Sequence, residues 1–394
     1  MSELRGTVLV VYNRYSTRGG EDEVFESEVE LLRQHRWDVI PVTETPIPPS
    51  RTQLLRAATN IVWSVGWHRR LRELARVHRP SIVHIHNTFP TMSPSIIRAA
   101  RDADAAVVHT VHNYRLICPS AICYRDAHTC EDCVGRKFAW PGVLHRCYKG
   151  SRLQTAGVAA SVAVHGVLNT WQQVDVYISP SLFGRELLAR GGVPPDRIIV
   201  KPNFMPSDPG VGKHDGEFCV FVGRLSAQKG MLTLLQAWQR LEHVPLKVVG
   251  DAVPGPTPFL DAHHSASSVE FLGRADRSKV LALMKEARFL IMPSEWYEVG
   301  PLSILEAFAC GLPVIASRLG AMPEFVQDGH TGLLFTPGDS QDLVATVDWA
   351  WRHPEEMAAM GREARRQYET RYTPERNYQM LAKIYESALE RRMP

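Results

Sequence analysis

Two doubly wound α/β domains are what this sequence predicts, and three observations carry that reading: a length of 394 residues, one strand-and-helix pattern used twice, and a single break between the two uses. At roughly 100 to 200 residues per domain, a chain of this length exceeds what one hydrophobic core organises. The repeated pattern is a short apolar, β-branched run ending in Gly, Asn, Ser or Pro, followed by a longer segment of helical period. The break is PNFMPSDPGVGKHDGE, residues 202–217, where Pro, Gly and charge replace periodic apolar residues as a linker would.

Taken in order, the first set of strands is TVLVVYN, WDVIPVT, IVHIHN, AVVHTVHN, VYISPS and IIVKPN; the second is CVFVGR, LKVVGD, VEFLGR, FLIMPS, PVIAS and GLLFTPG. Twelve such runs in two sets of six imply two parallel, Rossmann-like sheets with helices on both faces. The expected domains are 1–204, with an insert near 114–150, and 216–372. The final segment, 373–394, opens on Thr373 as a helix N-cap with Pro374 at the first helical position. Its Tyr378, Leu381, Ile384, Tyr385 and Leu389 recur at helical spacing, giving an amphipathic helix expected to dock back across the domains.

Composition excludes several classes of function. Lys and Arg number 45 against 42 Asp and Glu, so the chain is no polyelectrolyte and nucleic acid is not an expected partner. No run approaches the roughly 18 to 20 apolar residues of a membrane span. The longest weakly polar stretch, TAGVAASVAVHGV at 155–167, is interrupted by His165 and reads as a buried helix. The first residues, MSELRGTVLVVYN, lack a cleavage-site pattern, and the expected location is the cytoplasm.

In open parallel sheets, ligands collect beyond the carboxyl ends of the strands, so the residues just after each strand are the informative ones. EVGPLSILE, residues 298–306, holds Glu298 and Glu306 on either side of a Gly-Pro turn. Gly300 and Pro301 open a helix whose free N–H groups and dipole attract phosphate, and Pro301 suits the first helical position. At about 1.5 Å per residue, Glu306 lies roughly 7 to 8 Å along, where the ribose of a nucleotide would sit. A carboxylate accepts bonds from both ribose hydroxyls. Glu298 then faces whatever is esterified to the distal phosphate. A helix end contributes only about 0.3 to 1 kcal/mol against charge, so stronger partners are needed. VGRLSAQKG, residues 222–230, offers Arg224 at a strand end and Lys229 at a helix start, with Gly223 and Gly230 for sharp turns. Each charge-assisted bond from such groups is worth about 1.5 to 3 kcal/mol.

GRLSAQKG, PSEWYEVGPLSILEAFACGLPVIAS and PEFVQDGHTGLLFTPGD, with STRGGEDEVFESE, VHIHN and HNYR in the first half, resemble glycosyltransferase family 4, retaining enzymes of the GT-B fold, over essentially the whole chain. The resemblance implies that Arg224 and Lys229 bind the donor diphosphate, Glu298 the sugar hydroxyls, Gly300, Pro301 and Leu302 the ring and phosphate, and Glu306 the ribose. Gly19 and Gly20 correspond to the family's glycine loop, and His112 to the histidine near the reacting sugar. His112, Glu298, Arg224 and Lys229 form the implied catalytic set. The implied reaction moves a hexose-type unit from a nucleoside-diphosphate sugar to a hydroxyl acceptor, from the face the diphosphate leaves, with no enzyme nucleophile and no divalent metal. The expected acceptor is a surface polysaccharide or lipid-linked saccharide. A nucleotide-sugar epimerase of similar fold and a non-catalytic binding module are the rival readings. His84 and His86 read as satisfied core histidines.

Two regions depart from that pattern. Residues 51–79 carry seven arginines against the single Glu73, with Trp63 and Trp67, which suits peripheral contact with an anionic inner membrane face as well as helices packed on their own sheet. The insert gathers Cys118, Cys123, Cys130, Cys133 and Cys147, five of the seven cysteines. Cys130 and Cys133 suit one half of a tetrahedral zinc site, completed by two of the other three. Packed free thiols and disulfides are the alternatives.

Overall fold

The structure is a computed structural model that describes residues 6–15, 18–45, 59–252 and 268–392. Each of the twelve expected runs contains a strand. The chain divides into one unit of Met1–Cys123, Cys130–Pro202 and Asn377–Pro394, and another of Tyr124–Thr129 and Asn203–Arg376.

In chain order the first strands are β1 (Thr7–Asn13), β2 (Asp38–Glu44), β3 (Ile82–Asn87), β4 (Ala106–Thr110), the short antiparallel hairpin β5 (Tyr124–Arg125) and β6 (His128–Thr129), β7 (Val176–Ser179) and β8 (Ile198–Val200). The first unit's sheet runs β2-β1-β3-β4-β7-β8, parallel throughout. Strands β3 and β4 are buried along their whole length because helices cover both faces. Helix α1 (Gly20–Gln34) opens with Glu21, Asp22 and Glu23, charges that complement its dipole, and sends Phe25, Val29 and Leu32 into the core. Helices α2 (Val65–His78), α3 (Ser95–Asp102), α4 (Arg152–Val167) and α5 (Leu182–Arg190) follow. The C-terminal helix, Pro374–Arg392, delivers Leu381, Ile384, Tyr385 and Ala388 to this same core.

The second unit contains β9 (Cys219–Val222), β10 (Leu246–Val249), β11 (Val269–Gly273), β12 (Leu290–Met292), β13 (Val314–Ser317) and β14 (Gly332–Phe335), in the parallel order β11-β10-β9-β12-β13-β14. Helix α6 (Met231–Trp238) supplies Leu234, Leu235 and the fully buried Trp238 to the core, and α7 (Arg277–Glu286) and α8 (Leu302–Ala309) come next. The strand order reverses between β9 and β12. That reversal is the point where an open parallel sheet parts its loops to admit a ligand.

The stretch expected to be a linker lies against the second unit. Gly212 N–H donates to the Cys310 carbonyl, His214 N–H to that of Lys285 and Gly216 N–H to that of Glu286, each at 2.9 Å. A Cβ on Gly212 would stand 2.3 Å from the Lys285 carbonyl oxygen, so its glycine serves close backbone packing and not slackness. Among the described residues, no helix is long and apolar enough to cross a membrane.

Candidate functional site

The second unit's switch point is made by two loops, one after β9 and one after β12. The Glu295 N–H donates to the Gln228 carbonyl at 2.9 Å, and the Ser317 hydroxyl donates to the Ser294 carbonyl, so the two loops and the end of β13 are tied together. Gly230 sits at φ +72, and a Cβ there would lie 1.8 Å from the Pro293 carbonyl oxygen. Only glycine allows the loops to cross so closely. Gly223 is not in a left-handed conformation; the comparable demand falls on Gly250, whose Cβ would meet the Gly223 carbonyl oxygen at 1.8 Å.

Glu298 is 5% exposed, and a single oxygen, Oε1, accepts from Lys229 Nζ at 2.6 Å, Ser294 Oγ at 2.7 Å and Trp296 Nε1 at 2.8 Å. Three donors on one oxygen fix the carboxylate plane, and none of the three engages Oε2. The ammonium of Lys229 uses one N–H here and has two more to give a phosphate. Arg224, just past β9, is exposed and has no hydrogen-bond or ion-pair partner among the described residues.

Helix α8 starts at Leu302, with Pro301 as its N-cap at φ −72 and ψ 107. Pro301 therefore precedes the helix instead of occupying its first position, because its extended ψ is still that of the loop. The Gly300 carbonyl accepts from Asn203 Nδ2 at 2.9 Å, and Leu302 is half-buried. Glu306, in the second turn of α8, pairs with Arg277 Nε at 3.3 Å. Sequence reasoning missed Asn203 and Arg277. Asn203 was hidden in a stretch read as linker, and the one signal for Arg277 was its place directly after Asp276, the N-cap whose side chain accepts from the Lys279 N–H. A third carboxyl on the same loop, Glu295, accepts from Thr233 Oγ1 at 2.6 Å, and burial raises its pKa above the ordinary carboxylate value.

In the first unit, Gly19 is the N-cap of α1, and its N–H donates to Asp22 Oδ2 at 2.9 Å; Gly20 is the helix's first residue. A Cβ on Gly19 would meet nothing within 4 Å, so nothing in the described protein demands glycine at that position. His112 lies two residues beyond β4 and shares a hydrogen bond of 2.9 Å between its Nε2 and His86 Nδ1. Burial pushes the His112 pKa down to about 3, which keeps the ring neutral.

Beneath His112 is a fully buried polar cluster. The ligand atoms of Glu28, His84 and His86 lie within 4.8 Å of one another, which invites comparison with a metal site. The residues do not fit one. Lys201 Nζ already stands 3.2 Å from Glu28 Oε2, and both nitrogens of His84 are taken, Nδ1 by the Tyr385 hydroxyl at 2.9 Å and Nε2 by Thr110 Oγ1 at 2.8 Å. A cation is present in the form of Lys201. His84 is the satisfied core histidine the sequence suggests, whereas His86 Nε2 and Glu28 Oε1 are buried with no hydrogen-bond partner among the described residues.

No disulfide links the five cysteines of the insert, and Cys118 and Cys123 lie within hydrogen-bond reach of each other. Among the described residues, the thiols do not reach the mutual 4.8 Å spacing of Glu28, His84 and His86. The insert's regular structure is limited to a 3-10 turn at Tyr114–Leu116, the β5–β6 hairpin and the five-residue helix Trp140–Leu144. Of the basic segment, residues 51–58 lie outside the described residues. In the remainder, Trp67 is 8% exposed and Trp63 stacks on His165 with centroids 5.6 Å apart, so both tryptophans pack within the first unit instead of facing outward. Arg69, Arg70, Arg72, Arg76 and Arg79 are exposed.

Two family descriptions match the chain: "Glycosyl transferase 4-like domain" over residues 5–203 and "Glycosyl transferases group 1" over residues 208–367. Over 162 residues it is 32% identical to D-rhamnosyltransferase WbpZ of Pseudomonas aeruginosa, which takes in 40% of this chain and 42% of that protein. Over 214 residues it is 27% identical to sulfoquinovosyl transferase SQD2 of Arabidopsis thaliana, with 50% and 41% covered. The chain spans about half the length of the curated relatives it matches. HepE of Anabaena, solved in complex with UDP and glucose, is similar with a TM-score of 0.70 and 17% identity, covering 97% of this chain and 100% of that one. Sucrose-phosphate synthase of Thermosynechococcus elongatus gives a TM-score of 0.73 at 16% identity, covering 98% and 100%. With one match taking in half the chain and the other most of what remains, this protein belongs to the glycosyl transferase 4-like family, and its two Rossmann-like units form a GT-B fold.

Proposed function

We propose that the chain is a retaining, metal-independent glycosyltransferase that moves a hexose-type unit from a nucleoside-diphosphate sugar to a saccharide or lipid-linked hydroxyl. The observation that carries this reading is the convergence of Lys229, Ser294 and Trp296 on one oxygen of Glu298 at the second unit's switch point. An immobilised carboxylate with Oε2 left over is suited to accept from sugar hydroxyls. Lys229, Arg224 and the N–H groups at the start of α8 are suited to the diphosphate, whose charge grows as the glycosidic bond breaks. Glu306, already beside Arg277, is assigned the ribose. Gly19 and Gly20 are assigned the diphosphate, and His112 the donor sugar. The departing diphosphate takes up the acceptor proton as the acceptor oxygen attacks from the same face.

Incubation with radiolabelled nucleoside-diphosphate sugars tests the reading. Transfer with retained anomeric configuration, or slow donor hydrolysis, that survives exhaustive chelation is expected. Conversion to an isomeric nucleotide sugar overturns it in favour of an epimerase, and binding without turnover in favour of a binding module.

We further infer that the insert is held by a structural zinc ion. The insert buries Tyr114, Ile117, Ala121, Cys123 and Cys133, a small apolar set for a lobe of its size. Ala121, Cys123, Asp126, Ala127, Arg146 and Lys149 all hold positive φ there, a strain that persists only when something over-determines the backbone. Cys133 is buried within electrostatic reach of Cys118, Cys130 and Cys147. Binding would have to draw these four sulfurs together. Metal analysis of purified protein should give close to one equivalent of zinc, and Cys133→Ser should loosen the insert without weakening nucleotide binding. Metal-free protein with a stable insert overturns this.

A further inference from the structure

The hydrogen bond between His86 Nδ1 and His112 Nε2, at 2.9 Å, holds one proton, and which ring owns it is decided by what lies behind His86. His86 is buried and His112 half-buried, and desolvation keeps both rings neutral, so each carries one N–H. The second nitrogen of His86, Nε2, is 4.0 Å from Glu28 Oε1, which also lies 3.3 Å from His84 Nδ1, and among the described residues neither His86 Nε2 nor Glu28 Oε1 has a hydrogen-bond partner. Glu28 Oε2 forms an ion pair with Lys201 Nζ at 3.2 Å, and the same Nζ donates to Asn377 Oδ1 at 3.1 Å. In a low-dielectric interior an N–H dipole aimed at a carboxylate is attracted, and a lone pair aimed at it is repelled. Nε2 of His86 therefore keeps its proton, and its Nδ1 is the acceptor.

We propose that His86 is a positioning residue that fixes His112 as the Nε2–H tautomer, so that His112 turns a bare Nδ1 lone pair toward the bound sugar. His112 then acts as a hydrogen-bond acceptor for a donor-sugar hydroxyl and has no proton to give a departing oxygen. The order of control runs from Lys201 and Asn377 to Glu28, then His86, then His112. This rests on the assignment of His112 to the donor sugar, whereas the tautomer itself does not.

Nitrogen-15 histidine NMR of the full chain, with His112→Asn and His86→Asn used to assign the two rings, reads the tautomers without any substrate. Both rings are expected as Nε2–H. A His112 ring protonated on Nδ1 overturns the proposal. His86→Leu should cut kcat by about 10- to 100-fold, the range expected for a lost orienting partner, with the donor KM little changed. His86→Asn, whose amide oxygen can replace the Nδ1 acceptor, should recover most of that loss. A fully active His86→Leu protein overturns the positioning role. If the tautomers are as expected but His112→Ala turns over normally, the assignment of His112 to the sugar fails while the relay stands.

Discussion

The two units share six parallel strands and a strand-order reversal, yet they handle charge in opposite ways. In the second unit the paired charges, Lys229 with Glu298 and Arg277 with Glu306, sit in or beside the loops at the strand ends, and their cations keep 16% and 32% of the side chain exposed. In the first unit Glu28 and Lys201 are almost wholly enclosed, with buried His84 and His86 around them. A pair whose cation keeps some contact with water can turn that cation toward a ligand at a smaller desolvation cost than a fully enclosed one. A closed pair can do no such thing, since removing either member strands a buried charge. The second unit is thus arranged to exchange contacts, and the first to hold a ring still.

The largest effect that would test this contrast is on turnover. Glu298→Ala should lower kcat by about 100- to 1,000-fold, the range for losing a preorganised electrostatic contact, while sparing affinity for free nucleotide. Comparable losses of nucleotide affinity and kcat would mean that the pair is a structural brace like Glu28 and Lys201.

Acid should separate the units next. Burial holds His84 and His86 well below the usual histidine value, His109 at about 4 and His112 at about 3. Their folded values lie below the unfolded one near 6.5, so their contribution to stability is complete above about pH 6.5 and is lost as the pH falls toward 4. Each such ring costs about 1.4 kcal/mol per pH unit across its window. Hydrogen exchange by mass spectrometry at stepped pH should show the first unit opening before the second. Simultaneous opening would sink the claim.

A smaller, sharper comparison lies within the second unit. Glu306→Ala should weaken nucleotide and nucleotide sugar alike by about 1 to 3 kcal/mol, because the ribose is common to both. Calorimetry showing a loss for the nucleotide sugar alone would move Glu306 off the ribose. The smallest effect concerns the arginine face of α2. Flotation with anionic vesicles should be weak and abolished by salt, and replacing Arg69, Arg70 and Arg72 with Gln should remove it without affecting soluble turnover. Binding that withstands high salt would require the apolar contact that the inward-turned tryptophans do not offer.

Much of the fold was legible because parallel strands buried on both faces are written as continuous apolar runs, and helix-length segments separate them. The turn at 298–306 was legible for a similar local reason, since Glu, Gly and Pro each carry a conformational meaning of their own. What was not legible depended on distant partners. Nothing in HNYR or VHIHN indicates that His86 meets His112, because that contact depends on the register of β3 against β4. The linker stretch misled because glycine marks close packing as readily as slackness, and Gly212 is there for the former. The tryptophans of the basic segment suited a membrane face and inward packing alike, because composition cannot say which side of a helix faces its own sheet.

The docking of the C-terminal helix also has a consequence in time. Asn377 and Tyr385 complete the bonding of Lys201 and His84, and Leu381, Ile384 and Ala388 close the core around β1. During synthesis these residues leave the ribosome after the whole of Asn203–Arg376. The unit that is begun first is therefore finished last, and it must wait, with an open core and an uncovered Glu28, while its neighbour is made. Chains released before Asn377 would carry a second unit able to fold and a first unit that cannot, and pulse-labelled ribosome-bound chains should remain protease-sensitive in residues 1–202 until that helix emerges.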